Sequence, residues 1–133
     1  LVVGTLATMV VALELGRAFG MPRAVEAALG LKTATAPVAV AEAPRVGADP
    51  ALVAGMVVLY ALMVTVAGPR LLTALGVRGP VARGTAMGGI GSGQGVAEAL
   101  TESQATGAAA AVSMVLAALV VTALAPPVVH LLA

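Results

Sequence analysis

The stretch ALVAGMVVLYALMVTVAG, which runs from Ala51 to Gly68, decides the fold class of this chain. It carries no charged residue, and about 20 apolar residues in a helix suffice to cross the hydrocarbon core of a bilayer. Asp49 is a favourable N-cap, Pro50 suits the first turn of a helix, and Gly68 followed by Pro69 predicts its end. We therefore predict a membrane-spanning helix from Ala51 to Gly68.

A second uncharged stretch, ATGAAAAVSMVLAALVVTALA from Ala105 to Ala125, predicts another spanning helix. The residues from Thr101 to Gln104 have the spacing of a capping box before it, and the pair Pro126-Pro127 predicts its end. The apolar run from Leu1 to Leu13 is too short to span alone, and it starts without an initiator Met. We therefore expect residues 1–133 to form a single membrane domain whose N-terminal part is missing.

The composition predicts that the surroundings of this chain are a bilayer. Hydrophobic residues make up 60% of the chain and charged residues 10%, against about 25% charged residues in soluble domains, and the mean hydropathy is +1.08. A net charge of +1 and an aromatic content of 2% offer little to a nucleic acid. Because the chain has no cysteine and a single histidine, His130, we expect no catalytic triad, metal site or cofactor, and no enzyme.

Two further apolar segments are poor candidates for continuous helices. The segment from Thr33 to Pro50 contains three prolines, each of which removes a backbone donor. In the segment from Gly84 to Gly95, six of the twelve residues are glycine, and each weakens a helix by up to about 1 kcal/mol relative to alanine. Irregular backbone at membrane depth is tolerated only where protein or water covers it. We therefore predict an all-α polytopic transmembrane helical bundle with about four or five segments, two of them discontinuous and facing an interior cavity.

Positive charges predict which loops face the cytoplasm. The segment from Gly16 to Lys32 carries three basic residues, and so does the segment from Pro69 to Arg83, which has no acid. Under the positive-inside rule both segments are cytoplasmic, so an even number of crossings must separate them. Since Ala51 to Gly68 is one crossing, the segment from Thr33 to Asp49 is predicted to be the other.

The glycine-rich run has two interpretations, which can coexist. One is close helix packing through G-x-x-x-G spacing, as in dimers of membrane helices. The other is an anion site, in which Ser92 and Gln94, the polar side chains of the stretch GGIGSGQG (residues 88–95), point into a cavity lined by free N–H groups. The glycines assigned to helix packing are Gly84, Gly88, Gly91 and Gly95.

A second set of candidate binding residues surrounds the first proline of the other broken segment. The residue before a proline disfavours helix, so a half-helix is predicted to begin or end beside Thr33, Thr35 and Pro37. A helix N-terminus there would direct N–H groups toward a carboxylate substrate. In the alternative interpretation, the two threonine hydroxyls bond to their own backbone.

Three stretches carry a resemblance to a known family. They are LKTATAPVAV (Leu31 to Val40), GVRGPVARGTAMG (Gly76 to Gly88) and GAAAAVSMVLAALVVTALAPPV (Gly107 to Val128). In this order they resemble the C-terminal part of the LrgB/CidB family of membrane proteins. The family pattern K-S-V-T-T-P is similar to residues Lys32 to Pro37, and A-R-G is similar to Ala82 to Gly84. The His of a further family pattern, H-A-I-G-T-A, falls on Ser92.

The resemblance implies a multi-pass protein of the plasma membrane that moves something across it. Members of the family are holin-like proteins implicated in murein hydrolase export and lysis, and plastid relatives are glycolate/glycerate translocators. We therefore expect a carrier of small carboxylates, in which the residues near Thr35 and Ser92 hold the anion and Arg83 attracts it at the cytoplasmic mouth. The alternative is a holin-like pore or regulatory subunit that acts with an LrgA/CidA-like membrane partner or as a homo-oligomer.

Overall fold

The computed structural model describes residues 1–132, and over these residues the chain folds into six α-helices without a β-strand. This architecture confirms the predicted all-α fold class. A 3-10 turn, Ala43–Val46, follows the third helix. The helices are α1 (Val2–Ala18), α2 (Arg23–Gly30), α3 (Ala36–Glu42), α4 (Pro50–Ala74), α5 (Pro80–Glu102) and α6 (Gln104–Leu132).

Helices α4 and α6 are long and apolar enough to cross a membrane. With 25 and 29 residues they measure about 37 and 43 Å, which exceeds the bilayer core of about 30 Å. Only 17% of the most apolar window of α4 and 28% of that of α6 is buried within the chain. Large side chains such as Met63 on α4 and Leu119 on α6 are more than half exposed. Such contiguous exposed apolar surface is typical of lipid contact rather than of the core of a soluble domain.

Both spanning helices begin at a side-chain cap. The carboxylate of Asp49 accepts a hydrogen bond from the backbone N–H of Leu52 at 2.9 Å, which confirms Asp49 as the N-cap of α4. The cap of α6 differs from the predicted capping box. Its cap is Ser103, in extended backbone conformation, whose Oγ accepts from the N–H of Thr106 at 3.0 Å.

The predicted helix ends at prolines are wrong. Helix α4 continues through Pro69 to Ala74, and α6 continues through Pro126 and Pro127 to Leu132. A proline inside a helix costs one backbone hydrogen bond, whereas ending the helix at membrane depth leaves four carbonyl groups without partners. The second cost is larger, so the helices continue.

Helix α5 is a helical hairpin rather than a straight helix. Its backbone leaves the helical region at Ser92, with φ 52° and ψ −146°, which separates an arm of residues 80–91 from an arm of residues 93–102. Arg83 and Glu102 would lie about 28 Å apart on a straight helix, yet their side chains form an ion pair. Gly95 also packs directly against the backbone of Met87 on the other arm. We call residues 80–102 hairpin 2.

Helices α2 and α3 form a second hairpin, which we call hairpin 1 (residues 23–46). The chain breaks between them at residues 31–35, which contain the predicted half-helix boundary before Pro37. Arg23, at the start of α2, lines the same surface cleft as Arg45, which follows α3. The two open ends of hairpin 1 therefore lie together. The segment from Thr33 to Pro50 brings the chain back to the face of the bundle at which α2 begins.

The two hairpins enter the bundle from opposite faces. Hairpin 1 opens beside the start of α4 and the end of α6, where His130 shares the cleft of Arg23. Hairpin 2 opens at the other end of α4, since Arg83 donates to the carbonyl oxygen of Pro69 at 3.2 Å. With α1, α4 and α6, the hairpins make five segments, two of them discontinuous as predicted.

This arrangement corrects the predicted topology. A single crossing, α4, separates the arginines near hairpin 1 from those near hairpin 2, so the two basic segments lie on opposite faces. The segment from Thr33 to Asp49 is the return arm of a hairpin and supplies no second crossing. The prediction failed because the positive-inside rule placed both basic segments on one face, and this placement required a second crossing, whereas a hairpin brings the chain back to the same face.

Small residues let hairpin 1 pack between its neighbours. A Cβ atom at Gly30 would lie 3.0 Å from Cγ2 of Val129 on α6 and 3.7 Å from Cδ2 of Leu13 on α1. The cluster of buried residues around this contact consists mainly of alanine and valine. These side-chain contacts pack the end of α2 against α1 and the C-terminal part of α6.

Candidate functional site

The tips of the two hairpins meet inside the bundle. The hydroxyl of Ser92, at the tip of hairpin 2, donates a hydrogen bond of 3.2 Å to the carbonyl oxygen of Ala34, at the tip of hairpin 1. Ala34 is completely buried and Ser92 is 8% exposed. The two residues lie 58 positions apart in sequence, so this bond joins the broken segments that sequence analysis had identified separately.

Ser92 adopts a backbone conformation that L-residues seldom use. Its φ of 52° makes it the one non-glycine residue with positive φ among residues 1–132. Such a conformation costs about 1–3 kcal/mol and persists only where surrounding contacts hold it. Glycine is abundant in this run and would adopt the turn without strain. Serine differs from glycine there in supplying a hydroxyl group at the point where the tips meet.

A cavity of about 480 Å³ lies beside the meeting point of the tips. It brings together four of the predicted binding residues, namely Thr35 and Pro37 from hairpin 1 and Ser92 and Gln94 from hairpin 2. Apolar side chains from the middle of both spanning helices complete its wall. They are Val57, Val58 and Ala61 of α4 and Met114 of α6.

Two buried polar atoms near the tips have no hydrogen-bond partner within the described residues. They are Oγ1 of Thr33 and Oε1 of Gln94. Thr33 is 3% exposed. The bonds from threonine hydroxyls to their own backbone, which formed the alternative interpretation, are found for neither Thr33 nor Thr35. An unpaired buried polar atom costs about 1–3 kcal/mol, so these atoms indicate a place where a polar molecule can bind.

Lys32, the second residue of the stretch LKTATAPVAV, was not among the predicted site residues. Its Nζ donates a hydrogen bond of 2.9 Å to the carbonyl oxygen of Thr8 on α1 and lies 5.3 Å from the ring centre of Tyr60 on α4. No carboxylate forms an ion pair with Lys32 in residues 1–132. A charge at membrane depth indicates a functional site, and this signal was present in the sequence as a lysine beside an apolar half-helix.

Arg83 lies far from the tips, at the open end of hairpin 2. It donates to both carboxylate oxygens of Glu102 at 2.7 and 2.5 Å, to the carbonyl oxygens of Val77 and Pro69, and to the hydroxyl of Thr73. A guanidinium has five N–H donors, and these five contacts use all of them. The arrangement is that of a clamp between hairpin 2 and α4, and it leaves no donor free for the anion that the sequence analysis assigned to Arg83.

Three of the four predicted packing glycines lie at close backbone contacts, and the fourth, Gly91, faces a side chain. A Cβ at Gly84 would overlap the carbonyl of Thr106, and one at Gly88 would overlap the carbonyl of Ala110, so this pair faces one turn of α6. At Gly91 a Cβ would lie 3.1 Å from Cγ1 of Val64 on α4. Gly95, as described above, contacts the opposite arm. The four glycines therefore serve three different contacts rather than one helix face.

The ion pair between Arg83 and Glu102 predicts an acid-sensitive contribution to stability. The hydrogen bond from Arg83 lowers the pKa of Glu102 below its ordinary value of 4.5. A carboxyl whose pKa is lowered by folding stabilises the protein above its unfolded-state pKa, and this contribution is lost as the pH falls through the folded-state pKa. In Arg83→Gln we expect lower stability at pH 7 and a weaker loss of stability below about pH 4.5.

The measurement is thermal unfolding followed by circular dichroism in detergent, from pH 7 to about pH 3. Arg78→Gln, which changes an exposed arginine near the same open end, is the matched control and should keep the acid dependence of the wild type. If Arg83→Gln retained an equally steep acid dependence, another carboxylate would have to be its cause.

The fold and site define the class of this protein. Two exposed apolar helices of spanning length enclose two hairpins whose polar tips meet inside the bundle. Irregular backbone of this kind occurs at membrane depth only where protein covers it or a cavity adjoins it. The chain is thus a helical membrane protein with discontinuous segments.

The chain belongs to the LrgB-like family, whose profile matches residues 1–131. It is 34% identical over 95 residues to the uncharacterized protein YwbG of Bacillus subtilis (strain 168), covering 71% of this chain and 42% of YwbG. It is 27% identical over 126 residues to the antiholin-like protein LrgB of Bacillus mycoides (strain KBAB4), covering 95% of this chain and 55% of that protein. The chain thus spans about half the length of these relatives, and no solved structure matches it.

Proposed function

We propose that this chain forms part of a carrier for small carboxylates in the plasma membrane, with its binding site at the meeting point of the two hairpin tips. The observation that carries the proposal is the unpartnered Oε1 of Gln94, a residue that lines a cavity of about 480 Å³ together with Thr35 and Ser92. Broken helices that meet near the middle of a bundle are the common construction of substrate sites in secondary transporters.

The donors and acceptors at the tips suit a hydroxy acid such as glycolate or glycerate. The hydroxyl of such a substrate can donate to Oε1 of Gln94, while its carboxylate can accept from the hydroxyl of Thr35, or from that of Ser92 once Ser92 releases the carbonyl oxygen of Ala34. The arm of residues 93–102 begins at the cavity, so the positive end of its dipole favours an anion there. Val57, Ala61 and Met114 limit the substrate to a small molecule.

Lys32 supports an anionic rather than a cationic substrate. Lys32 precedes Thr33 in the sequence, and its ammonium group forms no ion pair with a carboxylate in the described chain. In an interior of low dielectric this charge favours a bound anion, because the Coulomb attraction is screened less than in water. Lys32 contacts Thr8 and Tyr60 rather than the cavity wall, so we assign it a long-range effect on substrate charge.

A second candidate function is a holin-like pore or regulatory subunit linked to murein hydrolase export. The names of the relatives in Bacillus mycoides and Bacillus cereus, antiholin-like protein LrgB, favour it. In this alternative an LrgA/CidA-like protein or further copies of the chain would cover the exposed faces of α4 and α6. The polar tips would then stabilise the two hairpins and bind no substrate.

Liposomes that contain the purified protein distinguish the two functions. We expect saturable uptake of labelled glycolate or pyruvate while a trapped dye, too large for a carrier, is retained. Dye release without saturable uptake would overturn the carrier proposal and favour a pore. Since this chain spans about half the length of the relatives, the assay is repeated with a relative of full length, and retained dye without uptake by either protein would also reject the carrier.

A further inference from the structure

A basic cleft at the open end of hairpin 1 is separate from the hairpin tips. It has a volume of about 510 Å³ and collects Arg23 from α2, Arg45 from the 3-10 turn and His130 from α6. These elements are distant in sequence, so the fold, not a local charge run, brings the basic side chains together. We propose that this cleft binds the phosphate of an anionic phospholipid headgroup.

The guanidinium groups in the cleft have free donors. Arg45 is held at 3.3 and 3.4 Å from the two carboxylate oxygens of Glu42 through one nitrogen, Nη1, and its side chain is 66% exposed. Its Nε and Nη2 therefore keep three N–H donors for a ligand. Arg23 makes no side-chain hydrogen bond to any residue of 1–132, so its five donors are free. Planar forks of this kind bind phosphate oxygens in pairs.

The charge of the cleft is positive even when Glu42 is included. The carboxylate of Glu42 is 8% exposed and lies beneath Arg45, where it orients the guanidinium and neutralises one charge. Glu42 therefore does not neutralise the charge of Arg23. The Nδ1 of His130 donates to the carbonyl oxygen of Pro126 at 2.7 Å, because a carbonyl can only accept, and this bond fixes the ring at the cleft wall.

The position of the cleft favours a lipid over free phosphate. It lies where α4 begins and where α6 ends, which is the level of the lipid headgroups if these helices span the bilayer. Most of its remaining wall is apolar, formed by Ala27, Pro44, Val46 and Val129. Leu131, next to His130, is 83% exposed. Basic groups above an apolar rim match a phosphate that is attached to acyl chains.

Native mass spectrometry of the protein released from detergent tests this site. The probe is an equimolar mixture of phosphatidylglycerol and phosphatidylcholine with identical acyl chains. We expect one phosphatidylglycerol to be retained in preference to phosphatidylcholine, and Arg23→Gln with Arg45→Gln to weaken this retention by about tenfold or more. Equal retention of both lipids by the wild type would overturn the proposal.

A matched control separates the cleft from general electrostatic attraction. Arg70→Gln with Arg78→Gln makes the same change in charge at the opposite face, on two exposed arginines, and should retain phosphatidylglycerol as the wild type does. Equal loss in both double variants would overturn the assignment to the cleft. Excess inorganic phosphate and excess phosphatidylglycerol are then compared as competitors for the bound lipid. If inorganic phosphate displaced the lipid as effectively, the cleft would bind free phosphate, which would overturn the assignment to a lipid headgroup. Arg23→Lys with Arg45→Lys, which keeps the charges, should retain more lipid than the glutamine variant.

Discussion

Gly88→Val is expected to prevent hairpin 2 from packing on α6 and to leave little folded protein. A Cβ atom at this position would overlap the backbone carbonyl of Ala110, and a backbone cannot move aside as the end of a flexible side chain can. Overpacking of a buried site costs about 1–3 kcal/mol where side chains can adjust, so we expect at least the upper end of that range. The measurement is the yield of monodisperse protein in detergent and its unfolding temperature.

Gly55→Val is the matched control for this variant. It makes the same change in a helix, but a Cβ atom at Gly55 would meet nothing within 4 Å. We expect wild-type yield and an unfolding temperature close to that of the wild type. If Gly88→Val folded as well as Gly55→Val, this would reject the close contact between hairpin 2 and α6 in the folded protein. Gly84→Val, one turn away and facing Thr106, should repeat the effect of Gly88→Val.

The spanning helices could be predicted from sequence because their signals are local. Absence of charge over the length of a bilayer core identified α4 and α6, and Asp49 marked the start of α4 through a side chain three residues from its partner. The predicted helix ends at the prolines were wrong because the effect of a proline on a helix is not local. Whether Pro69 ends a helix depends on the surroundings of the freed backbone groups, and these are set by the fold rather than by the neighbouring residues.

The two broken segments were also predicted, but their direction was not. Glycine and proline show where a helix weakens, whereas the contact of Ser92 with Ala34 and that of Gly88 with Ala110 decide that the chain turns back. Such contacts join residues that are distant in sequence, and no local pattern encodes them. The error in topology followed directly, because the prediction counted hairpin 1 as a crossing.

The candidate site was predictable in its residue types and less so in its geometry. Thr35, Ser92 and Gln94 were chosen as polar side chains in broken apolar segments, and the fold brings them to one cavity. Arg83 was chosen by its charge and its place in a loop. Its use as a clamp could not be foreseen, because Glu102 becomes its neighbour only when hairpin 2 folds back.

Ser92→Ala combined with Gln94→Ala is expected to abolish saturable carboxylate uptake. The double variant removes the hydroxyl at the tip and the unpartnered Oε1, so a bound anion would lose its polar contacts with hairpin 2. A buried polar group of the substrate that is left unpaired costs about 1–3 kcal/mol, and two such losses together reduce affinity by at least about 30-fold. Uptake into liposomes over a range of glycolate concentrations measures this loss.

Two further variants separate binding from folding. Ser92→Gly with Gln94→Ala also removes both polar groups but relieves the strained φ of 52°, so it should fold at least as well as the alanine variant and still lack uptake. Ser113→Ala is the matched control, because it deletes a buried serine that donates to the carbonyl of Thr85 at 2.8 Å and does not line the cavity. It should retain uptake. Normal uptake by the folded glycine variant would reject the hairpin tips as the substrate site, and loss of uptake in Ser113→Ala would attribute the effect to helix packing.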